Sequence, residues 1–392
     1  MRLSTTRYAA LQSAYWSAFC MAIMFASVFL LAKGLSNSQI GIVIATGGLI
    51  SAVAQPIVAG VSEVSRIPLR VWIAALALLM SVVAAALFIP GLPWLLTAVF
   101  FGFLILTVQL ILPLVNALGM AALNAGVTMN FGIARAAGSL AFAVVSVAAG
   151  SLVGARGPMV VPLLALIFQL ALIATALTFV YRTNVPASTT SHPTPDDDTP
   201  PLPTHERLTK DQWRKFWILL VGLTLAMASH NLINGFMFQV MQHHGGGAEE
   251  MGTAVMIGAL VELPTMALWS WIITKRSSGF MLKLAAIFFA AKSLVTWMAG
   301  SVGALYGAQT LQLLAFAVLV PASIYYVNQL MPPGDRVKGQ AYMTMTNTLG
   351  TVVGSISGGI LLDVAGVPTM LLVGTVVAAV GAILTLISAE HI

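Results

Sequence analysis

Three ionisable side chains stand within or at the edges of otherwise apolar runs: Arg135, Glu262 and Lys292. A charge at membrane depth costs roughly 2.5–3.5 kcal/mol on insertion scales, so such groups face a water-filled cavity or a partner and mark a pathway. Glu262 lies about midway along its run, with no charge there to pair with. A carboxylate in that setting is a candidate for taking up and releasing a proton. The alternative is a structural salt bridge to Lys292 or Arg135. His230 adds a second titratable group, with an ordinary pKa of about 6.5. It stands four residues before Asn234, which puts both on one helix face. Its alternative role is packing. Amides complete the set: Asn116, Gln309 and Gln312, with Gln109, Asn231, Gln239, Asn328 and Asn347. An amide offers donors and acceptors together, which suits a neutral polyhydroxylated solute or, alternatively, ties helices to one another. Trp16, Trp269, Trp271 and Trp297 offer ring faces for stacking on a solute or anchors at a membrane interface. One carboxylate and two bases match neither a strongly anionic nor a strongly cationic solute.

These residues must be held by helices. Of 392 residues, 59% are hydrophobic and 8% charged, against about 25% charged in a soluble domain. Lipid must therefore be the solvent for much of the surface. Twelve apolar runs approach or exceed the roughly 20 residues a helix needs to cross a bilayer. They are 8–32, 39–61, 70–89, 93–120, 130–153, 158–181, 216–240, 251–274, 280–299, 303–328, 339–362 and 367–388. The first is too long for the apolar core of a signal peptide and is read as a retained helix.

Sorting the bases by loop sets an orientation. Arg2, Arg7, Arg66, Arg70, Arg182, Arg207, Lys210, Arg214, Lys215, Lys275, Arg276, Lys283, Arg336 and Lys338 fall on one side, while Lys33 and Arg156 fall on the other. Bases concentrate on the cytoplasmic side, so both termini are expected there. The net charge of +6 is spread through loops, which argues against a nucleic-acid partner. The single Cys20 excludes a disulfide framework and a cysteine-based metal site. No phosphate-cradling glycine loop, His/Cys metal spacing or serine nucleophile motif appears, so neither an enzyme nor a cofactor is expected.

The chain divides into an N-terminal six-helix half (1–182), a linker (183–215) and a C-terminal six-helix half (216–392). The linker is rich in Pro, Ser and Thr, carries Asp196, Asp197 and Asp198, and reads as a flexible tether. Runs five and eleven look duplicated: Gly138, Gly150, Gly157 and Pro158 match Gly350, Gly359, Gly366 and Pro368. Duplicated halves with a midplane site between them are a recurrent transporter plan.

The chain resembles the major facilitator superfamily over nearly its whole length. Gly60-Val61-Ser62-Glu63-Val64-Ser65-Arg66-Ile67-Pro68-Leu69-Arg70 is similar to that superfamily's signature after helix two, with Glu63 where Asp is usual. The resemblance makes Gly60, Glu63, Arg66 and Arg70 conformational gating candidates. Phe131-Gly132-Ile133-Ala134-Arg135-Ala136-Ala137-Gly138 is similar to the start of helix five in lactose-permease-like symporters. Gly258-Ala259-Leu260-Val261-Glu262-Leu263-Pro264 resembles helix eight of those symporters and of bacterial sugar efflux transporters. Thr310-Leu311-Gln312-Leu313 and Asn328-Gln329-Leu330-Met331-Pro332 resemble the efflux group.

The resemblance implies an all-α fold of twelve transmembrane helices in two halves, in a bacterial inner membrane, sufficient as a monomer. It implies that Glu262 contacts sugar and couples it to the proton, and that Arg135 bonds sugar hydroxyls. The family pairs that Arg with a helix-four carboxylate. Here Asn116 holds the place, so the ion pair is missing and an Arg–Asn–sugar cluster is left as an option. Lys292 replaces a helix-nine Arg. Helix ten has Gln309, Gln312 and Ala315 where the symporters carry Lys, His and a proton-carrying Glu. The coupling then falls to Glu262 or His230, or is absent.

The expected function is alternating-access transport of a small neutral polar solute, a sugar or oligosaccharide above all, with the proton gradient as the energy source. Expected substrate ligands are Arg135, Glu262, Asn116, His230, Asn234, Gln309, Gln312 and Lys292. Sugar or drug efflux by proton antiport is the alternative, although Val147-Ala148-Ala149-Gly150 lacks the Gly-Pro pair that drug antiporters usually carry there. A non-transporting sensor of the same fold is another.

Overall fold

The computed structural model describes residues 2–181, 208–332 and 335–390. The described residues of the apolar runs are mainly helical, with breaks inside the first and tenth. We number the twelve spans α1 to α12. The first, α1 (Arg2–Phe19), continues through a π-turn (Cys20–Met24) into Ala26–Ala32, with a 46° bend between its two parts. It is followed by α2 (Asn37–Val64), α3 (Leu69–Ala86), α4 (Trp94–Asn124), α5 (Phe131–Arg156) and α6 (Val160–Thr178). The second half holds α7 (Lys210–Gly235, continued by Met237–His243), α8 (Ala248–Lys275) and α9 (Ser278–Met298). Then come α10 (Val302–Thr310, a 3-10 turn Leu311–Leu313, and Phe316–Leu330) and the run Arg336–Ser388. That last run breaks at Gly366 into α11 and α12.

Among the described residues, nine helices are long and apolar enough to cross a membrane, ten if the bent first pair is one span. The run Lys338–Ser388 counts once there but is two helices. The 28-residue α8 is left out of that group and carries Glu249, Glu250 and Glu262. With these two, the total is twelve.

Helix ends follow local chemistry. Ser36 and Gln39 form a capping box on α2, and Thr209 and Gln212 form another on α7. Asn130 accepts from the Ile133 N–H to start α5. Because α7 begins at Lys210, residues 210–215 of the expected linker are helical; 182–207 lie outside the described residues. The duplication read from sequence is also visible in backbone geometry. Gly157 ends α5 at φ 86°, ψ 173°, and Gly366 ends α11 at φ 75°, ψ −179°. Only glycine adopts that conformation freely.

Two apolar cores form: the first is centred on the N-terminal half but takes in Leu232, Phe236 and Met241 of the second half, and the other lies within the C-terminal half. Tyr8, Phe25, Phe29 and Phe101 are fully buried in the first, and Phe216, Phe289 and Tyr326 nearly or fully so in the second. The two halves meet through helix pairs related by the duplication, α2 with α11 and α5 with α8. A Cβ on Gly41 would strike the Ser355 carbonyl, and one on Gly359 would strike the Asn37 carbonyl. Likewise Gly150 lies against the Ala248 carbonyl and Gly252 against that of Ser146. Ser146 Oγ also donates to the Gly252 carbonyl at 3.1 Å. Small residues allow this approach, and close backbone packing supplies the attraction in lipid.

These contacts all lie toward the face opposite the termini. There Asp363 accepts from the Asn37 N–H at 3.1 Å, Asn37 Nδ2 at 2.9 Å and the Ser38 N–H at 2.7 Å. Gln239 Nε2 donates to Asn37 Oδ1 at 3.0 Å. The protein is thus closed at the face opposite its termini. Gly252→Val forces the α8 backbone off Ser146 and is expected to disfavour this closed form. Faster thiol labelling of a cysteine placed at Ser146 is the check; an unchanged rate counts against it.

Candidate functional site

The α5–α8 contact fixes the level of the charged residues. Gly150 meets Ala248 and, four residues earlier, Ser146 meets Gly252 four residues later. The helices therefore run antiparallel in register. Continuing that register from Ser146 and Gly252 brings Arg135 opposite Glu262 to within one residue. At 1.5 Å per residue both lie about 15–17 Å further in, near the middle of a bilayer about 30 Å thick. Each side chain is half-buried.

On the C-terminal side three residues form a relay. Lys292 Nζ donates to Gln312 Oε1 at 2.6 Å, and Gln312 Nε2 donates to Glu262 Oε1 at 2.9 Å. Lys292 is 2% exposed and Gln312 6%. Gln312 can do this because it sits in the 3-10 turn that interrupts α10, where Ala315 has φ −91°, ψ −91°. Irregular backbone at membrane depth persists where protein or a cavity surrounds it. Pro321, in the first turns of the segment Phe316–Leu330, removes a further helical donor just beyond the break. The direct salt bridge that sequence left open between Glu262 and Lys292 is absent among the described ion pairs; a neutral amide stands between the charges.

On the N-terminal side, Arg135 lays its guanidinium over the Trp16 ring, 4.2 Å from the centroid, and Nη1 donates to Ser139 Oγ at 2.9 Å. Trp16 Nε1 donates to Gln12 Oε1 at 3.1 Å, Gln12 Nε2 to Tyr8 Oη at 2.9 Å, and Tyr8 Oη to the Val115 carbonyl at 3.0 Å. Tyr8, Gln12 and Trp16 are spaced by four, so they form one ladder along α1. Sequence reasoning noticed Trp16 but not this ladder; its signal is the i, i+4 repeat of polar-capable residues in the first apolar run.

The remaining expected ligands divide. His230 is 9% exposed, stacks on Phe316 with ring centroids 5.4 Å apart, and meets Phe289 edge-on at 5.3 Å. Asn234 Nδ2 lies 2.9 Å from its Nε2. His230 is therefore clamped between aromatic rings and an amide. Gln309 is buried, with Nε2 3.9 Å from Met237 Sδ. Asn116 is half-buried, and the partners found for Arg135 are Ser139 and Trp16 rather than Asn116. Of the gating candidates, Gly60 and Arg66 are exposed. Arg70 lines a surface pocket of about 280 Å³ with Pro68, Leu69, Leu118, Phe179 and Tyr181, away from the charged cluster. The side chains of Glu63 and Trp271 lie outside the described residues.

Comparisons with known proteins agree with this architecture. The model of the MFS_1 like family matches residues 6–372. The putative multidrug resistance protein MdtD of Escherichia coli O6:K15:H31 (strain 536 / UPEC) is 23% identical over 175 residues. That match covers 45% of this chain and 37% of MdtD. The nucleoside transporter NupG superposes with a TM-score of 0.73 at 15% identity, covering 98% of this chain and 97% of its own. A POT family transporter in complex with a thioalcohol conjugated peptide gives 0.71 at 13%, covering 99% and 96%. Twelve helices in two duplicated halves, a charged cluster at mid-depth and a family match over nearly the whole length lead to one conclusion: the chain belongs to the MFS_1 like family of integral membrane transporters.

Proposed function

We propose that this transporter moves a small hydroxylated polar solute, with sugars first in line, by alternating access coupled to protons at Glu262. The observation that carries this reading is the Lys292–Gln312–Glu262 relay facing Arg135 at the same depth. Protonating Glu262 changes the charge presented to Arg135 and Lys292. Binding at one group is then felt at the others, and linkage of that kind is reciprocal. Orientation follows the loop bases, with both termini cytoplasmic in a bacterial inner membrane.

Export by proton antiport is the second reading, favoured by the similarity to a putative multidrug resistance protein. The amide-rich, charged site argues for a polar solute in either direction. The experiment is proton movement in proteoliposomes challenged with hexoses, di- and trisaccharides and nucleosides. A solute-triggered pH change in a downhill gradient is the expected result. Counterflow with no pH change would make the protein a facilitator. Gln312→Leu breaks the relay between buried Lys292 and half-buried Glu262, leaving Lys292 without its acceptor. It is expected to lower the apparent solute affinity by about tenfold or more, as removal of a hydrogen bond to a charged group costs roughly 1.5–3 kcal/mol. Counterflow at graded solute concentration measures it.

A further inference from the structure

The charges around the site do not balance. Arg135 and Lys292 face one carboxylate, Glu262, and no direct ion pair joins any of the three among the described residues. Lys292 is bound to a neutral amide, and Arg135 to a hydroxyl and an aromatic face. A cation–π contact holds a guanidinium in place without neutralising it. With Glu262 ionised the set carries one net positive charge, and with Glu262 protonated it carries two.

The Arg135 side of this set is built to stay put. The guanidinium lies flat on Trp16, and Trp16 is fixed through fully buried Gln12 and Tyr8 to the α4 backbone at Val115. A Cβ on Gly138 would strike Trp16, so α5 is shaped to admit that ring. Ser139 accepts from Nη1 alone, which leaves other N–H groups of the fork for a ligand. A planar guanidinium fork fits a carboxylate through two parallel bonds.

Given the proposed transport site, we infer that its solute is a hydroxylated monocarboxylate of sugar-acid type, whose carboxylate is taken by Arg135, with Trp16 as the residue that positions the guanidinium. The relay amide and the hydroxyl-bearing part of the solute then face one another across the cavity. Proton and anion enter together. Protonation of Glu262 removes the site's negative charge, and the solute restores it, so the loaded and empty sites carry the same net charge. One proton moving with one monoanion is electroneutral. A neutral sugar moving with a proton would instead carry charge and respond to membrane potential.

The test uses purified full-length protein in proteoliposomes, with a hexuronate, its neutral amide and the parent hexose as probes. A pH gradient and a valinomycin-set potassium potential are applied separately. The expected result is hexuronate uptake driven by the pH gradient and unchanged by potential. The hexuronate should also block counterflow at a concentration at least about tenfold below that of its amide, a difference of about 1.4 kcal/mol. Trp16→Leu should raise the KM for the hexuronate toward that of the amide, with a smaller rise in KM for the hexose. Trp16→Phe, which keeps a ring face, should retain the preference. Amide and hexuronate competing equally, or potential-driven uptake of the hexose alone, overturns the inference and leaves proton-coupled transport standing. No gradient-driven uptake of any probe or of the wider sugar and nucleoside panel overturns both.

Discussion

Glu262→Gln is expected to abolish gradient-driven accumulation while leaving solute exchange. The substitution keeps the size of the side chain and the bond to Gln312 but cannot bind and release a proton. For one-to-one coupling, a gradient of one pH unit supports about tenfold accumulation, because one pH unit corresponds to about 1.4 kcal/mol. In Glu262→Gln proteoliposomes that ratio should fall to one, with counterflow retained at a rate within a few-fold of wild type. The geometric basis is the position of Glu262: it accepts from Gln312 Nε2, which links it to Lys292, and it lies level with Arg135 of the other half by the α5–α8 register. Proton and solute transport at the wild-type level in this variant would remove Glu262 from the mechanism. His230 would be the next titratable group to test, but its ring is stacked on Phe316 and bonded to Asn234, so His230→Gln should act through packing and reduce folded yield.

The second large effect is expected at the opposite face. Asp363→Ala removes three hydrogen bonds that tie α11 to the start of α2. A bond to a charged group contributes roughly 1.5–3 kcal/mol, and because solvent competes for these three exposed bonds their combined loss is about that of one such bond. A loss of about 1.4–2.8 kcal/mol shifts the balance between closed and open forms by about 10- to 100-fold. Spin labels on the α3–α4 and α9–α10 loops, in a Cys20→Ser background, report that shift as a longer distance population. An unchanged distribution would show that the glycine contacts alone keep this face shut.

The same carboxyl yields a pH prediction. Partial burial pushes Asp363 up, but the side-chain and backbone donors of Ser38 and Asn37 outweigh it and hold the carboxyl below its ordinary value. A depressed carboxyl contributes its full stabilisation above the ordinary value of about 3.9 and loses it only as pH falls through its own lower value. The closed face should therefore be insensitive to this group between about pH 5 and 8. Any opening of the face across that window must persist in Asp363→Ala. Opening that vanishes with Asp363 would contradict the assignment of coupling to Glu262.

What the sequence determined by itself was set by the solvent. Lipid satisfies no backbone group, so each apolar run had to become a helix, and run length fixed their number. The duplicated Gly157 and Gly366 were legible because few residues other than glycine tolerate φ near 80°, and both adopt it. Arg135, Glu262 and Lys292 stood out because a charge in an apolar run is costly enough to need a reason. The partners of those charges were not legible. Which amide bridges Lys292 and Glu262 depends on the break in α10 that turns Gln312 toward both. That Arg135 rests on Trp16, where the family resemblance drew attention to Asn116, depends on how α1 and α5 rotate against each other around Gly138. Asp363 and Asn37 meet across 326 residues because glycines let α2 and α11 touch backbone to backbone. Helix rotation and crossing are decided by packing across the whole bundle, and a one-residue turn of 100° carries a side chain from cavity to lipid; run length holds no record of that angle.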